Sequence, residues 1–158
     1  MTGVQDIPRA HTPPGGYGEQ MPPPILRGCV DELPAGAPDL RGTWRVVDGT
    51  ADGAPLAADH PIRNHVERIE QAGARVVVTA GGVVHDMVAD GTYENGVNDV
   101  MAADLTTPIS VAASFENGAL VLRPRDLPDV EVRRWRDGAH VMWQYHTLFT
   151  VRMQHTDD

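Results

Sequence analysis

Residues able to do acid–base or ligand chemistry cluster in two short stretches. His65 and Glu67 stand one residue apart in NHVERIE, and His85 sits in VVHDMV. In an extended chain residues i and i+2 share a face, so His65 and Glu67 present an imidazole and a carboxylate side by side. A partly buried Glu67, its pKa raised by desolvation, would serve as a general base beside a histidine acid. With His85 as a third ligand, the same groups suit zinc or non-haem iron. They also suit a polar, water-filled ligand pocket without chemistry. Tyr145 adds a phenol that can donate to a developing oxyanion, and Arg134 a guanidinium that can anchor a carboxylate or enolate. The catalytic set is therefore Glu67, His85, His65 and Tyr145, suited to cofactor-free isomerisation, dehydration or cyclisation.

The elements that must hold these groups are strands. RGTWRVVDG is a first strand, and residues 49–62 form a loop with Pro55 and Pro61. NHVERIEQ, ARVVVTA, VVHDMVA and TYENGVNDVMA follow with almost no linker. Then come ISVAASF, ALVLRPR, VEVRRW and a long final strand, HVMWQYHTLFTVRM. The connections are Ala72-Gly73, Gly81-Gly82, Asp90-Gly91, Asn117-Gly118 and Asp137-Gly138, pairs that favour the positive φ of tight hairpin turns. No segment keeps a helical period. The pattern predicts an all-β, up-and-down antiparallel barrel of about eight to nine strands over residues 39–158, with a sandwich as the alternative. Eight of the 13 prolines fall in residues 1–38. Proline resists helix and sheet, so this stretch reads as an extended Pro-rich N-terminal arm. Its Ile25, Leu26 and Val30 imply packing on the barrel, as a lid on its mouth or across to a neighbouring subunit.

Turn geometry assigns the faces. An Ala72-Gly73 turn pairs Glu70 with Arg75, Ile69 with Val76 and Glu67 with Val78. One face then carries His65, Glu67, Ile69, Val76 and Val78 and reads as interior, and the face with Glu70 and Arg75 reads as solvent. The Gly81-Gly82 turn pairs Val78 with His85 and Val76 with Met87, which places His85 and Met87 inside. Carried on through Asp90-Gly91, the register brings Glu94 inside opposite Met87. Glu67 and His85 then lie about 10 Å apart across the sheet. The Asp137-Gly138 hairpin sets Arg134, Trp143, Tyr145 and Phe149 on an inner face, and Trp135 opposite His140 on an outer one. A buried arginine needs a partner, and Glu67 or Glu94 is the one expected. Trp44, Ile69, Val78, Met87, Glu94, Arg134, Trp143 and Phe149 are the predicted ligand-lining set.

RGTW, at the head of the first strand, resembles the G-x-W signature of the lipocalin-like (calycin) barrels. The resemblance implies that Trp44 closes one end of the barrel with an arginine of the last strand, here Arg152, packed against it. It also implies a cavity for a small hydrophobic molecule. A haem-binding barrel of the nitrobindin type would continue as G-x-W-x-G-x-G, but Val46 stands where the next glycine belongs.

Composition removes other classes. A net charge of −9 gives no electrostatic footprint for nucleic acid or an anionic membrane surface. No apolar stretch approaches a membrane span, and the N-terminus shows no signal pattern. One cysteine, Cys29, allows no intrachain disulfide, which favours the cytoplasm. All 13 basic residues are arginine, the pattern of a GC-rich bacterial genome. Lysine chemistry is thereby excluded. There is no G-x-S-x-G, P-loop or dinucleotide motif, so no cofactor and no resident metal is assigned. The expected role is to bind a small hydrophobic, partly polar molecule, with the acid–base enzyme and a metal or haem barrel as alternatives. A homodimer is compatible with the apolar residues of the arm.

Overall fold

The computed structural model describes residues 3–156. It contains eleven strands: β1 (Gly42–Ala51), β2 (Ala54–Pro55), β3 (Val66–Ala72), β4 (Arg75–Ala80), β5 (Val83–Val88), β6 (Val97–Val100), β7 (Pro108–Glu116), β8 (Ala119–Pro124), β9 (Val132–Asp137), β10 (His140–Tyr145) and β11 (Phe149–Thr156). The two-residue β2 only pairs with β1. The other ten run in the antiparallel order β5-β4-β3-β1-β11-β10-β9-β8-β7-β6. Every neighbour in that order is a chain neighbour except where β1 meets β11, so the sheet is an up-and-down meander curled into a nearly closed barrel. The β5–β6 seam has no ladder; there the Val88 N–H donates to the Asn95 carbonyl at 2.7 Å.

The strand count exceeds the expected eight to nine because the long final strand is two. The chain reverses at residues 146–148, with His146 at φ 51° and the Leu148 N–H on the Tyr145 carbonyl. YHTLF contains no Gly, Pro or Asn, so its sequence gives no turn signal. Two hairpin turns also fall one residue later than expected. Ala72 pairs with Arg75 and Asp137 with His140, around Gly73-Ala74 and Gly138-Ala139. Gly73 (φ 56°) and Gly138 (φ 61°) are positive while the alanines are not, the pattern of a turn with glycine at its first central position. Moving a turn by one residue moves each partner by two, so the faces stand while the partners change. Ile69 lies opposite Val78, and Trp135 opposite Met142 instead of His140.

The core fills the lumen. Leu40, Trp44, Ile69, Val76, Met87, Leu120, Val141, Val151 and Met153 are all buried in one cluster. Trp44 is 2% exposed and donates its indole N–H to the Leu40 carbonyl. Gly42, two residues before it, has φ 139°, and a Cβ there would come within 2.7 Å of the His155 ring. That packing accounts for the glycine of the G-x-W signature. The arginine over Trp44 is Arg136 of β9, its Cζ 5.5 Å from the ring centroid, and not Arg152. A bulge does interrupt β1–β11 between Val46 and Asp48. Val151 and Met153 still take the inside, which leaves Arg152 outside near Asp48 and Asp137.

The face carrying Glu70, Arg75 and Asp86 is not solvated, as its charges suggested. Residues 3–41 contain no strand, and residues 4–29 lie along the outer wall of β3, β4 and β5. Val4, Ile7, Ala10, Tyr17, Ile25 and Leu26 pack there on Ala72, Val77 and Val84. Glu70 receives the Ile25 and Leu26 N–H groups. Arg75 is 4% and Asp86 5% exposed. The segment thus lies on its own barrel's wall and not over the mouth. Its charged and polar side chains also bridge the seam. Arg9 donates to the carbonyls of Asp86, Asn95 and Gly96, and Thr12 takes the Val84 N–H while its own N–H meets Asp99.

Candidate functional site

Glu67 is aimed inward by its partner. It lies opposite Trp44 in the β1–β3 ladder, and residues directly opposite share a face. His65 precedes β3 at the end of a 3-10 turn, Pro61–Asn64, which His60 caps by accepting the Ile62 N–H on its Nδ1. Proline at the first position of that turn forfeits no hydrogen bond. The His65 carbonyl then accepts from Val46 N–H, so the turn docks on β1. Arg134 lies opposite both Leu120 and Trp143. It comes from β9, separated from β3 by β1, β11 and β10 in the sheet order.

Arg134 and Glu67 meet across the lumen. Nε donates to Oε2 at 2.8 Å and Nη2 to Oε1 at 3.0 Å, a bidentate fork. Oε1 also takes His65 Nε2 at 2.7 Å. Glu67 is 0% exposed. Burial pushes its pKa up, but Arg134 and the His65 hydrogen bond push it further down, to about 2. The raised pKa expected of a general base is therefore reversed. An ionised carboxylate only accepts, so His65 donates from Nε2. Glu67 is the partner expected for Arg134, and both its oxygens are engaged.

Above this pair the lumen is aromatic. The His65 ring lies against Trp143 with centroids 4.4 Å apart and planes tilted by 34°, and Arg134 Cζ lies 4.9 Å from the same ring's centroid. Phe149 meets Trp143 edge-on at 5.0 Å, and Tyr145 stacks on Phe149 at 5.6 Å. Exposure rises outward: Trp143 is 7% exposed, Phe149 intermediate and Tyr145 37%. The Trp143 indole Nε1 is buried and has no hydrogen-bond partner among the described residues. The arrangement sets a run of aromatic rings of rising exposure beside a charged brace, in the core that also holds Trp44, Val141 and Met153.

The other predicted residues are placed elsewhere. His85 does face the lumen opposite Val78, but its Nε2 donates to the Val100 carbonyl across the seam at 2.9 Å. Burial lowers its pKa, so the ring is neutral near pH 7. It does not bridge to Glu67. Ile69, Val78 and Met87 are buried in the lumen as expected. Glu94 is exposed in the loop before β6, because residues 89–96 loop out instead of forming a hairpin, and so the register argument has no ladder to follow. It lines a cleft of about 250 Å³ at the seam with Arg9, His11 and Asp86. A second cleft, of about 350 Å³, lies by Asp129, Arg133 and His146. Neither contains the brace. Among the described residues no three His, Cys, Asp or Glu side chains gather as a metal ligand set. The unpartnered Trp143 N–H and the contact of His65 with Trp143 are not legible in the sequence. Both depend on side-chain packing between distant strands, for which the sequence carries no signal.

No protein-family model and no curated protein matches the sequence. A match appears at the level of structure. The chain is similar to human cRBP IV, a cellular retinol-binding protein, with a TM-score of 0.53 and 14% identity, over 75% of this chain and 98% of that one. At that identity the likeness is one of fold: this chain has the lipocalin/calycin type of barrel that its G-x-W stretch resembles. No helix among the described residues is long and apolar enough to cross a membrane.

Proposed function

We propose that this chain binds a small, largely hydrophobic molecule with a polar end in the mouth of its barrel. The observation that carries the reading is the polar brace inside the lumen. Glu67, wholly buried, is held by Arg134 from the far wall beneath aromatic side chains that stay partly exposed. A barrel filled only for stability is served as well by apolar residues, since a buried ion pair is seldom worth its desolvation. Aromatic walls with a few convergent polar groups are the usual make-up of small-molecule sites. A shared fold with a retinol-binding protein points to the same class of ligand. In this reading residues 1–38 are an arm that completes the barrel wall, and residues 39–158 are the binding domain.

The acid–base reading is weaker, because Glu67 is held ionised and has both oxygens engaged. The test is native mass spectrometry of the purified protein against its denatured mass, together with a fluorescence titration with all-trans-retinol. Extra organic mass that leaves on denaturation, or saturable one-to-one binding of retinol, supports the reading. No released mass and no saturable binding defeats it.

A further inference from the structure

We infer that the ligand is held by an uncharged hydrogen-bond acceptor, a carbonyl or hydroxyl oxygen, docked on the indole N–H of Trp143, and that the site discriminates against carboxylates. This rests on the binding reading above and adds the chemical class of the ligand's polar end.

The first argument is the unpaired donor. Trp143 is 7% exposed, its Nε1 is buried, and no protein group accepts from it. Buried indole N–H groups ordinarily find a partner, and an unsatisfied one carries a desolvation penalty. An indole nitrogen can only donate, so what satisfies it must accept. The strand places it correctly for this. Trp143 lies on the inner face of β10 between Val141 and Tyr145, with His65 tilted against its ring and Phe149 packed perpendicular to it. In the proposed mode the ligand's acceptor meets Nε1 and its apolar remainder lies against the rings of Tyr145 and Phe149 that adjoin Trp143.

The second argument is charge. Arg134 is the arginine that lies over Trp143, and Glu67 offsets its charge through two hydrogen bonds. Among the described residues, Arg134 spends Nε and Nη2 on Glu67, so the guanidinium is already paired with an anion. An incoming carboxylate would give up its hydration for an indole dipole and a neutral pair, with the Glu67 anion close by. A carbonyl or hydroxyl loses far less and gains the same donors.

The experiment uses three probes that share one polyene chain and differ in the end group: all-trans-retinal, all-trans-retinol and all-trans-retinoic acid. Their affinities are measured at pH 7.5 with the full chain and with Trp143→Phe, which keeps a ring and removes the N–H. The aldehyde and the alcohol are expected to bind at least about tenfold more tightly than the acid. Trp143→Phe should lose about tenfold for the aldehyde, as a net hydrogen bond of roughly 1–1.5 kcal/mol implies, and leave the acid unchanged. A parallel measurement on the unmutated chain follows its three indole N–H resonances in ¹⁵N-tryptophan-labelled protein, so the test survives a variant that fails to fold. One of them should shift downfield with retinal and not with retinoic acid. If the acid binds as tightly as the aldehyde, or no indole N–H responds to retinal, the inference falls while the binding reading stands. If none of the three binds, the inference falls, and the binding reading falls with it when native mass spectrometry also releases no organic mass.

Discussion

Two buried arginine–carboxylate pairs lie on opposite sides of the same barrel wall, and they are finished differently. On the outside, Arg75 and Asp86 are sealed under residues 4–10. Arg75 Nε and Nη2 reach the two Asp86 oxygens, Nη1 takes the Val4 and Ile7 carbonyls, and Nη2 also takes Pro8. All five guanidinium donors are used. Asp86 accepts the Ala10 N–H as well. On the inside, Arg134 gives two hydrogen bonds to Glu67 and none elsewhere, and its neighbour Trp143 keeps an unpaired N–H. A saturated buried network fixes a structure; spare donors on the inner side are what the proposed ligand would complete. The same side-chain chemistry serves as a clamp in one place and as the floor of a candidate site in the other.

The contrast can be broken most sharply at the clamp. Arg75→Ala leaves Asp86 buried without its main counter-charge and frees three backbone carbonyls of the N-terminal segment. Breaking one partner of a buried pair costs about 3–5 kcal/mol, so urea unfolding should show a loss of that size. Limited proteolysis should then cut within residues 3–12, which the clamp otherwise holds. Retention of full stability would mean that the segment is held by its apolar contacts alone.

The inner pair is tested by pH. Glu67 has a folded pKa of about 2 against an ordinary value of 4.5. A depressed carboxylate stabilises the fold fully above 4.5, and that contribution is lost as pH falls from 4.5 toward 2. The shift corresponds to about 3 kcal/mol. Glu67→Gln lacks this term, so the stability gap between it and the parent should be large at pH 7 and shrink by pH 3. A gap that does not change with pH would show that the carboxylate's charge is not what holds Arg134.

The smallest effect is expected from the arginine that the family resemblance singled out. Arg152 is half-buried and lies 3.9 Å from both Asp48 and Asp137. Arg152→Ala should cost under about 0.5 kcal/mol. Arg136→Ala, which removes the cation over Trp44 and a hydrogen bond to the Asp39 carbonyl, should cost about 1 kcal/mol. Thermal melts of the two variants decide which arginine belongs to Trp44, and a larger loss for Arg152→Ala would reverse the assignment.

Much of this was legible in the chain itself. Period-two patterning and glycine turns determined an all-β meander. Side-chain alternation put His65, Glu67, His85, Arg134 and Trp143 on the inner face. That assignment survived two misplaced turns, because sliding a two-residue turn by one position preserves which face a residue takes. Glu94 failed for the opposite reason: residues 89–96 make no ladder, so alternation had nothing to act on. Only the tertiary structure decided which inner residues touch. Arg134 could have met either glutamate, and closure of the barrel brings β9 over to β3. The pKa of Glu67 turned on that contact, since burial alone raises a carboxylate and a bidentate arginine lowers it. The outer charges were misjudged for a related reason. Glu70, Arg75 and Asp86 look solvated along a strand, and only a distant, proline-rich segment folding back over them makes them buried. Patterns local to a strand fix faces; contacts between strands far apart in sequence fix partners, protonation and what remains unpaired.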